Sequence, residues 1–156
     1  MKSKHKKVNK FKEAVENTQQ VNTAYCVGLQ ALKKVDRAKI ELRESGNCEG
    51  SLDIDTTVVQ QYPQSNRWDY CLSYKGEVFF VEVHSANTGE VSTVIRKLQW
   101  LIDWLNQQAP AINSLKATSR HPFYWVQSNG FHILPNSSQY RQVIQHKIRP
   151  VAKLVL

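Results

Sequence analysis

The stretch RWDYCLSYKGEVFFVEVH, Arg67 to His84, decides how this chain folds. Two apolar-rich runs flank Lys75 and Gly76, and each alternates with the period of two that marks a strand. In the second run Phe79, Val81 and Val83 share one face, with Phe80, Glu82 and His84 on the other. In the first run Trp68, Tyr70, Leu72 and Tyr74 stand together, opposite Asp69, Cys71 and Ser73. A turn centred on Lys75 and Gly76 pairs Tyr74 with Glu77 and, counting outward, Asp69 with Glu82. Lysine suits a positive-φ turn position poorly, and an odd loop length slips the register by one residue, turning one acid to the other face. In the symmetric register the opposed residues have Cβ atoms about 4.5–5.5 Å apart. Two ionised carboxylates at that spacing repel unless a cation lies between them. The competing reading leaves both acids solvated at strand ends, paired with neighbours such as Arg67 and Lys75.

Working outward, Phe11 to about Glu44 is rich in helix formers, with Val21, Ala24, Tyr25, Gly28, Leu32 and Val35 on one stripe. This predicts a helix, broken near NTQQVN, whose end is open to a second reading: AKIELRES as a short strand. LDIDTTVV alternates Leu52 and Ile54 against Asp53 and Asp55 and reads as a strand, and QQYPQSNR as a polar connection into the hairpin. Beyond the hairpin, SANTGEVSTVIRKLQWLIDWLNQQAP predicts an amphipathic helix. Asn87 and Glu90 form its capping pair, and Val91, Val94, Ile95, Leu98, Leu101, Ile102 and Leu105 its apolar stripe. PFYWVQS reads as a strand, Asn129 and Gly130 as a turn, FHILP as a short strand, and the remainder as a short helix with a last extended piece. The order is that of a layered α/β or α+β domain with one central sheet flanked by helices.

A chain of 156 residues with 41% hydrophobic content is the size of one domain with a real core. Its net charge of +8, densest in MKSKHKKVNKFK, suits a polyanionic partner, nucleic acid first. The opening run lacks the apolar stretch of a signal peptide, and no run is long enough to span a membrane, which reads as a soluble, cytoplasmic protein with no membrane partner. Cys26, Cys48 and Cys71 are odd in number, widely spaced and without a CxxC pair, so neither a disulfide framework nor a structural zinc site is expected. The five histidines, His5, His84, His121, His132 and His146, show no zinc-binding spacing.

The succession of an N-terminal helix, strands bearing Asp69 and then Glu82-Val83-His84, an amphipathic helix and a further strand resembles the PD-(D/E)xK nuclease superfamily. The resemblance runs from the first helix to PFYWVQS. It implies an α/β, restriction-endonuclease-like core, a central mixed sheet flanked by helices in the order α-β-β-β-α-β. Residues 1–10 then form a basic flexible tail and residues 11–156 a single PD-(D/E)xK-like domain. Asp69 matches the first acid of the motif and Glu82 the second, and Trp68 stands in place of the motif proline, at a position where the family varies. In that family the acids hold a divalent metal and position an attacking water. The resemblance therefore implies Mg²⁺ or Mn²⁺ held by Asp69, Glu82 and the Val83 carbonyl.

His84 stands where the motif has lysine. A histidine near its ordinary pKa is largely neutral at pH 7 unless carboxylates raise it. Some members of the superfamily place the lysine on the following helix instead. Lys97 resembles that arrangement, since helical spacing from Glu90 aligns Thr93, Lys97, Trp100 and Trp104 as a second stripe; the other reading makes Lys97 and Arg96 an ordinary solvated face. Asp69, Glu82, His84 and Lys97 are thus the candidate catalytic residues. Asp55 is the preferred additional acid, ahead of Glu13, Glu16 and Asp53. The expected function is metal-dependent phosphodiester hydrolysis on DNA or RNA, by a monomer or a homodimer. The alternatives are an inactive nucleic-acid-binding or protein-interaction module on the same fold, and an unrelated α+β domain.

Overall fold

The computed structural model describes residues 8–131, 133 and 135–156. The helices are α1 (Lys10–Glu16), α2 (Lys34–Arg37), α3 (Ile54–Thr57), α4 (Val91–Gln107), α5 (Pro110–Asn113) and α6 (Ser138–Gln145). The strands are β1 (Ile40–Glu41), β2 (Cys48–Asp53), β3 (Tyr70–Tyr74), β4 (Glu77–Ala86), β5 (Phe123–Phe131), β6 (Arg149–Val151) and β7 (Leu154–Val155). Five of them form a mixed sheet in the order β2-β3-β4-β5-β6, and β1 pairs with β7 in parallel. The fold is α/β, with the central sheet flanked by helices.

The β3–β4 hairpin has the symmetric register: Tyr74 faces Glu77 and Tyr70 faces Val81. Lys75 at φ 51° and Gly76 at φ 81° form a two-residue turn with both central residues left-handed, the type whose twist matches antiparallel strands. Lysine is tolerated there because its surroundings hold it. Its N–H donates to the Asn47 carbonyl at 3.0 Å, and its ammonium meets Glu44 at 3.0 Å and lies 5.5 Å from the Tyr74 ring centre. The pleat then divides the core. Val78 and Phe80 join Phe11, Val15, Leu98, Leu101 and Trp125 on the side of α1 and α4. Phe79 and Val81 pack with Leu72, Leu32, Ile40 and Leu154 on the other side. Strands β4 and β5 run parallel, so a crossover must connect them, and the amphipathic α4 fills that role.

Several elements depart from the sequence reading, each for a local reason. The helix predicted from Phe11 to Glu44 stops at Glu16. There Thr18, buried, turns its hydroxyl onto the Ala14 carbonyl at 2.7 Å, the kind of side-chain bond that competes with helix continuation. A short 3-10 turn follows over Gln19–Val21, near the expected break, and the chain onward is irregular up to α2, with Gly28 at φ +53°. Val35, placed on the predicted stripe, is exposed. The strand reading of AKIELRES holds at β1. The predicted strand LDIDTTVV ends at Asp53, whose carboxylate accepts the Thr56 N–H at 3.0 Å and starts α3. A carboxylate placed to cap overrides the alternation, so Asp55 sits on a helical turn rather than a strand.

Asn129 and Gly130 do not form a turn but lie within β5. The register passes from His84 opposite Gln127 to Ala86 opposite Phe131, so β5 takes up extra residues as a bulge. The rest of the predicted FHILP strand includes His132 and Leu134, which lie outside the described residues, as do residues 1–7 of the predicted tail. Asn9 and Lys10 belong to the start of α1, where the Asn9 side chain accepts the Lys12 N–H at 2.9 Å. Asn87 and Glu90 do not form a side-chain capping pair; only their backbones bond, at 2.9 Å, and the Glu90 carboxylate has another partner. The end of the chain is the expected short helix, α6, followed by extended pieces.

Gly50 lets β2 approach the irregular segment before α2. Its φ is +141°, and a Cβ there would fall 2.4 Å from Tyr25 Cε2 and 2.8 Å from the Cys26 carbonyl oxygen. Gly50→Ala therefore loses about 2–4 kcal/mol in stability, read by urea denaturation. An unchanged midpoint would show that this approach is not needed.

Candidate active site

Beyond the Tyr70–Val81 pair the hairpin ladder is completed by side chains. The Asp69 N–H donates to Glu82 Oε1 at 3.0 Å, and the Val83 N–H donates to Asp69 Oδ2 at 3.0 Å. Asp69 is pinned again through its carbonyl, which accepts the N–H groups of Ile54 and Asp55 at 2.9 and 3.2 Å. Each carboxylate thus uses one oxygen as an anchor on the opposite strand. The other two oxygens converge on Lys97, whose Nζ is 2.7 Å from Glu82 Oε2 and 3.9 Å from Asp69 Oδ1. The cation that the opposed acids require is this ammonium. It arrives there because Val94, Leu98, Leu101 and Leu105 bury one stripe of α4 against the sheet, turning the flank that carries Lys97 toward the end of β3.

His84 extends the row. Its Nε2 lies 2.8 Å from Glu90 Oε2 and its Nδ1 3.5 Å from Glu82 Oε2. Acid and base alternate from Glu90 through His84, Glu82 and Lys97 to Asp69, with Glu82 at 0% exposure in the middle. The hydrogen bond to Glu82 holds the His84 pKa above its ordinary value, against burial and with help from Glu90. Nε2 is hydrogen-bonded to Glu90, and Nδ1 lies within ion-pair distance of Glu82. The His84 carbonyl accepts the Trp125 indole N–H at 3.0 Å from the β5 side. The Val83 N–H points to the β3 side, and in a strand the carbonyl of the same residue points the same way, past the point where β3 pairing ends.

Burial, and then the charge of Glu82, push the Asp69 carboxyl up to about 8, with Lys97 and the Val83 N–H opposing. For Lys97, burial favours the neutral amine, but the charges of Glu82 and Asp69 outweigh it and raise the pKa above the ordinary lysine range.

The structure brings Asp69, Glu82, Val83, His84 and Lys97 into one constellation. Asp55 is adjacent, close enough for its charge to act on Asp69 and Lys97, yet it is bound to Arg67 Nε at 2.8 Å. Asp53 is a helix cap, and Glu13 and Glu16 are exposed on α1, which packs on α5 and β2. Trp68, Trp104 and Trp125 are buried core residues, and the half-buried Trp100 stacks on Trp104 at 5.8 Å. Glu90 as the partner of His84, and Gln127 beside it, are neighbours that sequence reasoning missed. The signal for Glu90 was its acid type just past the strand, read there as a cap. Gln127 carried no signal beyond being a polar residue at the end of an apolar run.

Among the described residues, no three histidine, cysteine, aspartate or glutamate side chains converge as a metal-holding group. The donor set is instead two carboxylates, each with one oxygen facing the Lys97 ammonium, beside a backbone carbonyl. All are oxygens, which fits a hard ion such as Mg²⁺ that keeps several of its own waters.

The raised Asp69 pKa has a stability consequence. The folded protein holds this proton more tightly than the unfolded chain, so the contribution of Asp69 is most favourable below pH 4 and is lost as pH rises toward 8. Asp69→Asn keeps an acceptor for the Val83 N–H and removes the titration. The variant is expected to be more stable than wild type by about 1–3 kcal/mol at pH 8, with the gap closing toward pH 4. Thermal melts of both proteins across that range check this, and a gap that is constant or widens at low pH contradicts it. No protein-family model, curated protein or solved structure matches this chain.

Proposed function

We propose that the protein is a metal-dependent phosphodiester hydrolase of the PD-(D/E)xK type, built on a restriction-endonuclease-like core and acting on DNA or RNA. The observation that carries this reading is the pair of opposed carboxylates, Asp69 and Glu82, each anchored through one oxygen and presenting the other to the Lys97 ammonium. The order α1, β2, β3, β4, α4, β5 and the net charge of +8 support it.

Asp69, Glu82 and the Val83 carbonyl are the residues that would hold Mg²⁺ or Mn²⁺. Such an ion polarises a phosphoryl oxygen and lowers the pKa of a bound water. Lys97 takes the role of the missing motif lysine. Its charge is held by the buried Glu82 and the half-buried Asp69 whatever the protonation of His84, and it offsets negative charge developing on the phosphate. His84 serves in this reading as a positioning residue, its Nε2 bonded to Glu90 at 2.8 Å and its Nδ1 3.5 Å from Glu82. It fixes Glu82 on β4 to Glu90 at the entry of α4, and so sets the separation of strand and helix.

Calorimetric titration of Mn²⁺ is expected to give binding to wild type that is lost in the Asp69→Ala, Glu82→Ala double variant. Cleavage of labelled DNA and RNA in Mg²⁺ is expected to stop with EDTA, and to fall about 10²–10³-fold in Lys97→Ala. His84→Gln should cost less, about tenfold, since it disturbs position rather than chemistry. Cleavage that survives EDTA or Lys97→Ala rejects this mechanism. Salt-sensitive binding with no cleavage under any metal favours the inactive binding module instead.

A further inference from the structure

The end of the sheet that carries the β3–β4 turn gathers positive charge of its own. There Arg43, Lys75 and Arg120 line an open cavity of about 630 Å³. Five residues of β4, roughly 17 Å, separate Glu77 at this cavity from Glu82. The two acidic side chains that line it are already committed. Glu44 meets Lys75 at 3.0 Å, and Glu77 accepts the N–H groups of Thr118 and Ser119, both at 3.0 Å. Arg43 and Arg120 are exposed, and neither is in an ion pair among the described residues. Both are held in place. The Arg43 N–H donates to the Leu156 carbonyl at 2.8 Å, the Arg120 guanidinium donates to the Val155 carbonyl at 3.0 Å, and Glu77 braces the two residues before Arg120.

The positive surface continues past the cavity. Phe79, on the cavity wall, lies 6.3 Å from the Tyr124 ring, and Arg149 is the β6 partner of Tyr124. Arg149 and the nearby Lys147 are exposed and, among the described residues, unpaired. Arg120 and Arg149 are both close enough for their charges to act on Tyr124. Arg149 and Lys147 act likewise on His121, whose ring is 6.0 Å from that of Tyr124. Arg43, Arg120, Arg149 and Lys147 thus form one run of uncompensated charge.

The chemistry of the run selects its partner. Three of the four are arginines, whose planar forks match phosphate oxygens two at a time. Phe79 and Leu156, apolar residues at the cavity, are only 1% and 3% exposed, so they offer no anchor of the kind a protein interface or a lasting membrane contact uses. A chain of phosphates needs none, because its affinity comes from cations spaced along a surface. We propose that Arg43, Arg120, Arg149 and Lys147 form a binding surface for the phosphate backbone of a nucleic acid, separate from the Asp69–Glu82 site and independent of metal. The identity of the partner rests on the nuclease reading above.

The test is fluorescence anisotropy with labelled duplex DNA and single-stranded RNA in EDTA, over a range of salt, on the full chain. In the Arg120→Ala, Arg149→Ala double variant the slope of log affinity against log salt is expected to fall by about 2, about 1 for each phosphate contact, and probes of different sequence to weaken alike. Lys12→Ala, Lys33→Ala removes the same charge from exposed positions outside the run and is expected to leave the slope unchanged. Arg120→Lys, Arg149→Lys should restore it, since the charges return without the forks. If the alanine variant does not fold, Arg43→Ala, Lys147→Ala carries the same expectation. Equal losses in the arginine and lysine doubles, or no loss in the first, overturn the inference and leave the nuclease reading standing. A wild type that binds neither probe in EDTA also overturns it, and sedimentation with anionic vesicles would then assign the surface to lipid. If that wild type cuts neither probe in Mg²⁺, the nuclease reading falls as well.

Discussion

Two carboxyl groups that face each other across neighbouring strands can share a protein interior only with positive charge between them or with a proton kept on one of them. In this protein that charge is the Lys97 ammonium, 2.7 Å from Glu82 and 3.9 Å from Asp69, and much of the architecture serves to deliver it. The two-residue turn at Lys75 and Gly76 sets a register in which the acids oppose each other. The apolar stripe of α4 fixes the rotation of the helix that carries the lysine. The capping of α3 by Asp53 ends β2 early, so that α3 can donate its first N–H groups to the Asp69 carbonyl. Strand pairing stops where the carboxylates take over the backbone donors, and there the site begins.

Much of this was legible in residue pattern. The hairpin alternation placed Glu82 and His84 on one face and Val81 and Val83 on the other, and the helical spacing of SANTGEVSTVIRKLQWLIDWLNQQAP put Lys97 on a flank of its own. Both signals are periodic and extend over many residues, and burial enforces them: a one-residue slip would turn Phe79 and Val81 out of their core. Single side chains that compete for backbone donors and acceptors were not legible. Thr18 and Asp53 each ended an element that composition would have continued, through hydrogen bonds whose partners lie only a few residues away. The bulge in β5 was hidden for a related reason. Asn129 and Gly130 carry turn chemistry, but they lie within β5, between Gln127 and Phe131, which pair with β4 on either side of them.

The site was legible where it depends on register and illegible where it depends on what the chain does after leaving the sheet. Asp69 and Glu82 follow from counting outward from a turn. The contact of Glu90 with His84 depends on the short path from β4 into α4, where six residues bring the carboxylate back over the strand it has just left. Asp55 shows the opposite case. It lies near the site as expected, but on a helical turn, and Arg67 holds it at 2.8 Å.

Energetics separates this arrangement from an ordinary structural ion pair. Glu82 is fully buried, with three partners: the Asp69 N–H, the Lys97 ammonium and the His84 ring. Such groups rarely stabilise a fold more than well-packed apolar residues of the same volume would, because taking the charges out of water offsets most of their attraction. The surrounding core is dense with Phe80, Trp125, Val94 and Leu98, residues that could fill the same space without charge. A second acid placed opposite Glu82 adds repulsion, which raises the proton affinity of Asp69 and lowers stability further as pH rises. A fold gains nothing from two opposed acids that one apolar pair would not supply more cheaply. Their presence at the end of a ladder, held in place by backbone donors, is therefore an argument for chemistry at that point rather than for stability.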